Sequence, residues 1–575
     1  MISIQIAKLF REIADFLDME GIAFKPAAYR RAAWGVESSG SDIKELYKKG
    51  GASALEEIPG VGKDLALKME EFMKTGKVKV LEDLRKKTPV DVAGLTRIEG
   101  IGAKTVKKLY EGLKIASVED LEKAAKAGKV RGLEGFDAKK EQNFLHGIAF
   151  LKQEHGRMLL SEASALVSSL KEALERQSEV KRVEVVGSLR RMKETIGDID
   201  LLAISSDPEK TAQAFASLES VAHVYGKGES KVNVRFQNGI DGDLRIFAPE
   251  EFGAAMQYFT GSKEHNVKMR TLALKKGLKL NEYGLYKGKK RVAGEDEKGI
   301  YEKLGLGYIE PELREDTGEL EAAAKENLPK LISYDALKGD LQTQTSASDG
   351  EHSIAQMAET AFEAGLSYIG ITDHSRSLKI AGGLDRDRLE KQFKEIDVLN
   401  KKSKNGFRIL KSAEIDILED GSLDMPDDLL ARLDYALVTV HTHFKMPSKE
   451  MTARIIKALS NPLVDILGHP TGRLVMKRPP YEVDMAEVIK AANACGVALE
   501  INAFPERLDL KDIHIRQARE AGAKFVISSD AHNKSHFSVL RFGIAQARRG
   551  WVEASDVLNT LSCEKFLKAL RRNQS

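Results

Sequence analysis

The chain has 575 residues, 42% of them apolar and 31% charged, which describes a globular protein of roughly three to five domains. No apolar run approaches the ~20 residues a membrane helix needs, and the two cysteines, Cys495 and Cys563, lack the spacing of a disulfide framework or a cysteine zinc site. They read as core residues. The net charge of +3 is too near neutral to select a partner, so local patterns decide. The first 22 residues carry Ile6, Leu9, Ile13, Phe16 and Leu17 at helical spacing among charges. That pattern predicts an amphipathic helix, not a signal peptide, and with it a cytoplasmic location.

Next along the chain is an internal repeat. LEEIPGVGKDLALKMEEF (55–72) is replayed as LTRIEGIGAKTVKKLYEG (95–112), with Gly60 and Gly62 recurring as Gly100 and Gly102. A weaker copy, GLEGFDAKKEQNFLHGI (132–148), puts Asp137 in place of the second glycine. Each copy predicts helix, tight turn, helix. One such turn alone would be a glycine cap, but two, flanked by Lys63, Lys104, Lys107 and Lys108, point to DNA phosphates held by helix-start amides. Such hairpins bind DNA by its backbone without reading its sequence.

VEVVGSLRRMKETIGDIDLLAI (183–204) predicts a strand ending at Gly187-Ser188 and a second opening at Asp198. Residues two apart on a strand share a face, so Asp198 and Asp200 stand side by side, a costly pair without a cation. Mg²⁺, a hard ion that bridges carboxylates to phosphates, suits them. DGDLRIF adds Asp241 and Asp243 on a further strand. Beyond an acidic, alanine-rich linker, short apolar runs end in polar clusters: YIGITDH, ILKSAEID, ALVTVHTH, VDILGHP, GVALEIN and KFVISSDAH. Regular strands separated by helical segments predict a β/α barrel with His374, Glu414, His441, His469, Asp530 and His532 at the strands' C-terminal ends, where barrels place active sites. Six nitrogen and oxygen ligands in succession point to a polynuclear Zn²⁺ or Mn²⁺ centre.

GSLRRMKETIGDIDLL resembles the nucleotidyltransferase signature of family X DNA polymerases, and YFTGSKEHNVKMR (258–270) resembles their nucleotide-binding segment. The resemblance implies a multidomain α+β and α/β protein. Its parts would be a lyase-like helix-hairpin-helix domain (1–80), fingers with the second hairpin (81–150), a mixed-sheet palm (151–252), a thumb (253–318), a linker (319–335) and a distorted barrel (336–575). It further implies that Asp198, Asp200 and Asp243 hold two Mg²⁺ ions. Asp243 is preferred to Asp241 because Asp243-Leu244-Arg245 matches the family pattern. Gly187, Ser188 and Arg191 would clasp the triphosphate, while Tyr258, Phe259 and Gly261 would line the sugar pocket. Asn266 would touch the incoming base and Arg270 would face the template. FKPAAYRRAA (24–33) resembles the segment that binds a DNA 5′-phosphate, implicating Lys25, Tyr29 and Arg30. Lys68 falls at the position of the lyase nucleophile, although Asp64 opposes the activation such a lysine needs.

The C-terminal part resembles the polymerase and histidinol phosphatase (PHP) domain, whose first strand normally supplies a histidine pair spaced two apart, the first position sometimes being glutamine. Here those positions hold Gln342 and Gln344 in GDLQTQTSASDG. Asp349 remains as a ligand and His352 as a nearby substitute. Since an amide oxygen binds Zn²⁺ poorly, the phosphoesterase site is expected to be weakened. The resulting expectation is a monomeric polymerase that adds deoxynucleotides from dNTPs to primer ends in gapped or nicked DNA during repair, without membrane association. The alternatives are a barrel-dominated 3′-exonuclease or abasic-site endonuclease, and a non-catalytic DNA-binding scaffold. The intact carboxylates argue against the scaffold, and the glutamines against a dominant nuclease.

Overall fold

The computed structural model describes residues 2–573 except 23, 39–42, 59, 97, 99–100, 154–155 and 404–405. The chain divides into two compact units: Met1–His155, with which the short segment Met476–Pro479 groups, and Gly156–Val475 with Pro480–Ser575.

The first unit is helical. Its opening helix, Ile2–Met19, buries Ile6, Leu9, Ile13, Phe16 and Leu17, the stripe its spacing predicts. The two strong repeats fold alike. Ile43–Leu55 leads through a turn to Lys63–Thr75, and Val92–Thr96 to Ala103–Leu113. Gly62 (φ −90°, ψ 174°) and Gly102 (φ −94°, ψ 173°) stand at the two helix starts in the same extended conformation. Gly60 has φ +80°, and a Cβ there would lie 3.0 Å from the Arg31 carbonyl, so the turn closes on the helix Lys25–Ser38 only without a side chain. Gly100 lies outside the described residues. In the third copy Asp137 accepts a 2.7 Å bond from the Lys140 amide, and its carboxylate takes up a donor that a phosphate would use.

The second unit begins with a five-stranded mixed sheet in the order Val180–Val185, Asp198–Ser205, Asp241–Ile246, Lys231–Phe236, Val221–Lys227. The two acidic strands are parallel neighbours, with Asp198 opposite Asp241 and Asp200 opposite Asp243. Helices Leu160–Glu175 and Pro208–Ala216 bury Leu166, Leu170, Leu174 and Phe215. Helices Phe252–Thr260 and Lys263–Lys275 follow, then a three-stranded antiparallel sheet spanning 279–293. The expected linker is no free spacer. Leu320 and Ala323 of its helix Glu319–Ala324 join one core with Tyr301, Leu304 and Trp551.

In the C-terminal region Gly339–Thr343, Tyr368–Ile371 and Arg408–Lys411 form one parallel ladder. Glu414–Asp416, Leu437–Thr439, Ile466–Leu467, Ala498–Asn502 and Phe525–Ser528 form another. Single parallel bridges, His374 to Glu414 and Thr343 to Ala531, span the two gaps. The expected barrel is therefore two ladders pinned at their junctions and not one continuous closed sheet. Alternation along Ala498–Asn502 divides its layers. Ala498 packs with Tyr368, Tyr435 and Phe566, Leu499 and Ile501 face the outer core, and Glu500 and Asn502 enter a buried polar group.

One buried ion cluster ties the first sheet to the segment that follows it. Arg190 donates to Glu297 at 3.0 and 2.5 Å, and Arg314 adds a bond of 2.6 Å. Burial would raise the Glu297 carboxyl, but the two guanidiniums outweigh it and hold it down to about 2. Glu297→Gln should destabilise this unit by ~3–5 kcal/mol at neutral pH, because it leaves buried Arg314 without its counter-charge. The carboxylate's contribution is fully present above about pH 4.5 and is lost as pH falls toward 2. Thermal unfolding of wild type and variant should therefore converge as pH falls from about 4.5 toward 2.

Candidate functional site

A cleft of about 380 Å³ opens along the short helical turn Gly187–Arg190 that follows the sheet's opening strand. It is lined by Gly187, Ser188, Arg191, Asp198, Asp200, Tyr258, Phe259, Gly261, Lys263, Asn266 and Arg270. Gly187 (φ +66°) is required twice, since a Cβ would overlap the Asp200 carboxylate. The Ser188 hydroxyl is buried without a hydrogen-bond partner, an orphan that a ligand oxygen would satisfy. Asn266 is fixed, accepting from Gln257 at 2.8 Å and donating to the Tyr258 carbonyl at 2.6 Å. Phe259 packs under the Arg245 guanidinium, 4.6 Å from ring centroid to carbon.

The acids carry the electrostatic signature. Burial, then the charges of Asp198 and Asp243, push the Asp200 carboxyl up to about 7. Burial likewise raises Asp243, whose Oδ1 accepts from Asn233. Asp241 is otherwise engaged: Arg235 donates to its two oxygens at 2.8 and 2.9 Å. Three oxygen ligands on neighbouring strands beside an orphan hydroxyl and a guanidinium fit a divalent cation with a bound phosphate.

The second polar site lies in the barrel. Asp349, His374 and His532 converge in one group of potential ligands, and His374, Glu414 and His441 in another. His374 is common to both, and Glu414 lies 2.9 Å from His469 Nε2 and 3.2 Å from His441 Nε2. Asp416, two residues on and missed by the sequence reading, holds His441 Nδ1 at 2.7 Å, which aims Nε2 at the cluster. Burial disfavours a charged ring at His441, but Glu414 and Asp416 outweigh it and raise the imidazole to about 9. Asp530 and His469 stand in neither group. Asp530 is held instead by Arg507 at 3.0 Å and Asn502 at 3.1 Å. Gln342 and Gln344 are fully buried, and Gln344 donates its amide to Glu414 at 2.8 Å. An amide donor thus faces a carboxylate that would otherwise face a metal. His352 belongs to neither ligand group.

Residues 255–315 match the DNA polymerase beta thumb, 3–78 a helix-hairpin-helix domain, 52–114 and 92–145 a helix-hairpin-helix tandem, and 340–504 the PHP domain. The DNA polymerase/3′-5′ exonuclease PolX of Bacillus subtilis is 36% identical over 576 residues, covering 99% of each chain. This chain belongs to the family X DNA polymerases. A probable phosphatase of Thermoanaerobacter sp. is 32% identical over 248 residues, 40% of this chain and 95% of that protein. A similar probable phosphatase of Caldanaerobacter subterraneus is 34% identical over 204 residues, 34% of this chain and 75% of that protein. No helix among the described residues is long and apolar enough to cross a membrane.

In this family X polymerase the expected DNA contacts divide. Lys25, Lys63 and Lys104 are exposed beside their helix starts. Tyr29 is 6% exposed and packs edge-on against Phe10, so it is a core residue. Arg30 is paired with Asp15 and Asp18 at 2.8 and 2.5 Å, and Lys68 with Asp64 at 2.5 Å. The amine expected as a nucleophile is thus engaged by a carboxylate. Cys495 and Cys563 are free thiols, partly buried.

If the palm acids hold a divalent cation, protons compete with it at Asp200. Mn²⁺ affinity, read by paramagnetic resonance, should be constant above about pH 8 and weaken about tenfold per unit below about pH 7. An affinity independent of pH between 6 and 8 would show that Asp200 is not displaced by metal.

Proposed function

We propose that this protein fills short gaps in DNA by adding deoxynucleotides from dNTPs to a primer 3′-hydroxyl, as a repair polymerase. The observation that carries the reading is one cleft lined by Asp198 and Asp200, with Asp243 opposite Asp200 on the parallel neighbouring strand, and by the Gly187–Arg191 turn with its orphan Ser188 hydroxyl. Two Mg²⁺ ions at the three carboxylates would activate the 3′-hydroxyl and neutralise charge on the triphosphate. The chain's own groups do the rest. The Ser188 hydroxyl and Arg191 orient the triphosphate, since a charge-assisted guanidinium contact both binds and aligns phosphate. Tyr258, Phe259 and Gly261 bound the sugar, and the rigidly held Asn266 side chain faces the base. The start of the helix at Lys63 and that at Ala103, with Lys63 and Lys104 beside them, bind DNA through its phosphates.

Asp200→Asn should abolish primer extension on gapped DNA while changing DNA affinity less than about twofold, because the phosphate contacts lie elsewhere. The assay is a labelled primer on a one-nucleotide gap alongside a binding titration. Extension surviving at more than a few per cent would refute the reading.

The barrel supports a second, weaker activity. Asp349, His374, His532, Glu414 and His441 fit Zn²⁺ or Mn²⁺ by their nitrogen and oxygen donors. The Gln344 amide directed at Glu414 and the Arg507 guanidinium directed at Asp530 favour reduced metal occupancy. We expect fewer bound metal ions than a complete ligand set would hold, and slow 3′-end digestion. Replacing Gln342 and Gln344 by histidine should raise metal content in elemental analysis. Fast wild-type digestion that is lost in His441→Ala would contradict the weakened site.

A further inference from the structure

Arg191 is not held by the palm alone. Its Nε donates to Glu315 at 3.1 Å and its terminal nitrogen to the Thr260 carbonyl. Glu315 in turn accepts at 3.0 Å from Arg549, the last residue of the barrel-region helix Leu540–Arg549. Arg549 is almost fully buried, and three more of its five N–H donors are used: two go to Asp512, at 2.9 and 2.5 Å, and one to the backbone carbonyl of Arg191 itself, at 2.7 Å. A second barrel arginine, Arg473, donates at 2.7 Å to Glu194 and also to the carbonyls of Arg507 and Leu508. The loop from Arg191 to Glu194, in which Met192 takes a left-handed φ of +53°, is therefore gripped at both ends by the C-terminal domain.

The charges have a consequence for ligand binding. A triphosphate must take Arg191 from Glu315, a carboxylate already in contact with it. Arg549 competes with Arg191 for the same Glu315 oxygen, while Lys193 stands farther off at 3.8 Å. Removing Arg549 would leave Glu315 to pull on Arg191 with little opposition and would leave the Arg191 carbonyl without its donor. In a site this buried, such a shift of charge weighs more than it would in water.

We propose that Arg549, in the barrel domain, is a positioning residue of the polymerase site: it restrains Glu315 so that the Arg191 guanidinium is free to bind triphosphate. The proposal rests on the reading of Arg191 as a triphosphate ligand. It makes the C-terminal domain part of the nucleotide site whatever its own hydrolytic capacity. The relevant signature is an effect on nucleotide binding that depends on the Glu315 charge, which simple loss of packing would not produce.

The test is steady-state filling of a one-nucleotide gap by the full chain, with dNTP varied. Arg549→Gln should raise KM for dNTP about tenfold, the scale of one charge-assisted hydrogen bond, with kcat changed less than about twofold. Adding Glu315→Gln should return KM to within about threefold of wild type, and Glu315→Gln alone should lower KM about threefold by freeing Arg191. An Arg549→Gln KM equal to wild type, or a double variant as impaired as Arg549→Gln, would overturn the proposal. If Arg549→Gln fails to fold, Glu315→Gln decides: an unchanged or raised KM overturns it. Arg191→Ala separates the two levels. A large KM rise there with none in Arg549→Gln rejects only the positioning role, whereas no rise in Arg191→Ala rejects the triphosphate reading beneath it.

Discussion

The repulsion that Asp198 and Asp243 exert on the buried Asp200 carboxylate is the constraint on which the polymerase site depends. A parallel register between two strands sets Asp200 opposite Asp243, with Asp198 two residues before it, and Asp200 is the member of the trio that burial most shields from water. Without a cation the strain appears as a proton retained on Asp200 near neutral pH. The surrounding structure is arranged to supply positive charge from outside the trio: Arg191 and Arg245 both oppose the shift at Asp200. Gly187 lets the phosphate-side turn approach to within contact of the same carboxylate. Loss of any of these would alter the balance of charge at Asp200 before it altered the fold.

The barrel meets the same problem in a different way. Its carboxylates are surrounded by imidazoles, so Glu414 and Asp349 sit below their usual carboxylate range against the opposing effect of burial. Where the histidine pair is replaced by Gln342 and Gln344, the compensation comes from amides and from Arg507. Glu500, buried beside Asp530 and Glu414, is instead raised well above the usual range, as expected for an acid whose cationic partners are too few. One end of this barrel therefore offers ligands to metal, while another is neutralised by the protein itself.

Local periodicity carried much of this into the sequence. Asp198 and Asp200 were legible because a strand's two-residue repeat puts them on one face, and the paired glycine turns because a repeat shows itself twice. The preference for Asp243 over Asp241 has a physical counterpart in the Arg235 pair that occupies Asp241, a cross-strand contact that no spacing along the chain displays. The same limit hid Asp416 less than it hid Arg507: Asp416 follows Glu414 at strand spacing, whereas Arg507 reaches Asp530 from a separate loop. Arg473 and Glu194 are 279 positions apart, and Trp551 joins Leu320 in one core. Long-range packing also turned Tyr29 inward and made the expected linker part of the fold. The two ladders of the barrel, pinned by single bridges, depend on strand lengths that apolar runs only approximate.

The central claim is that the palm acids and the Gly187–Arg191 turn form one metal-and-triphosphate site. A crystal of the protein with gapped DNA, Mn²⁺ and a non-hydrolysable dNTP, measured at the manganese absorption edge, tests it most directly. The account predicts anomalous density bounded by Asp198, Asp200 and Asp243, with the triphosphate against Ser188 and Arg191. Triphosphate bound elsewhere, or ordered in the cleft with no manganese among the three carboxylates, would contradict it.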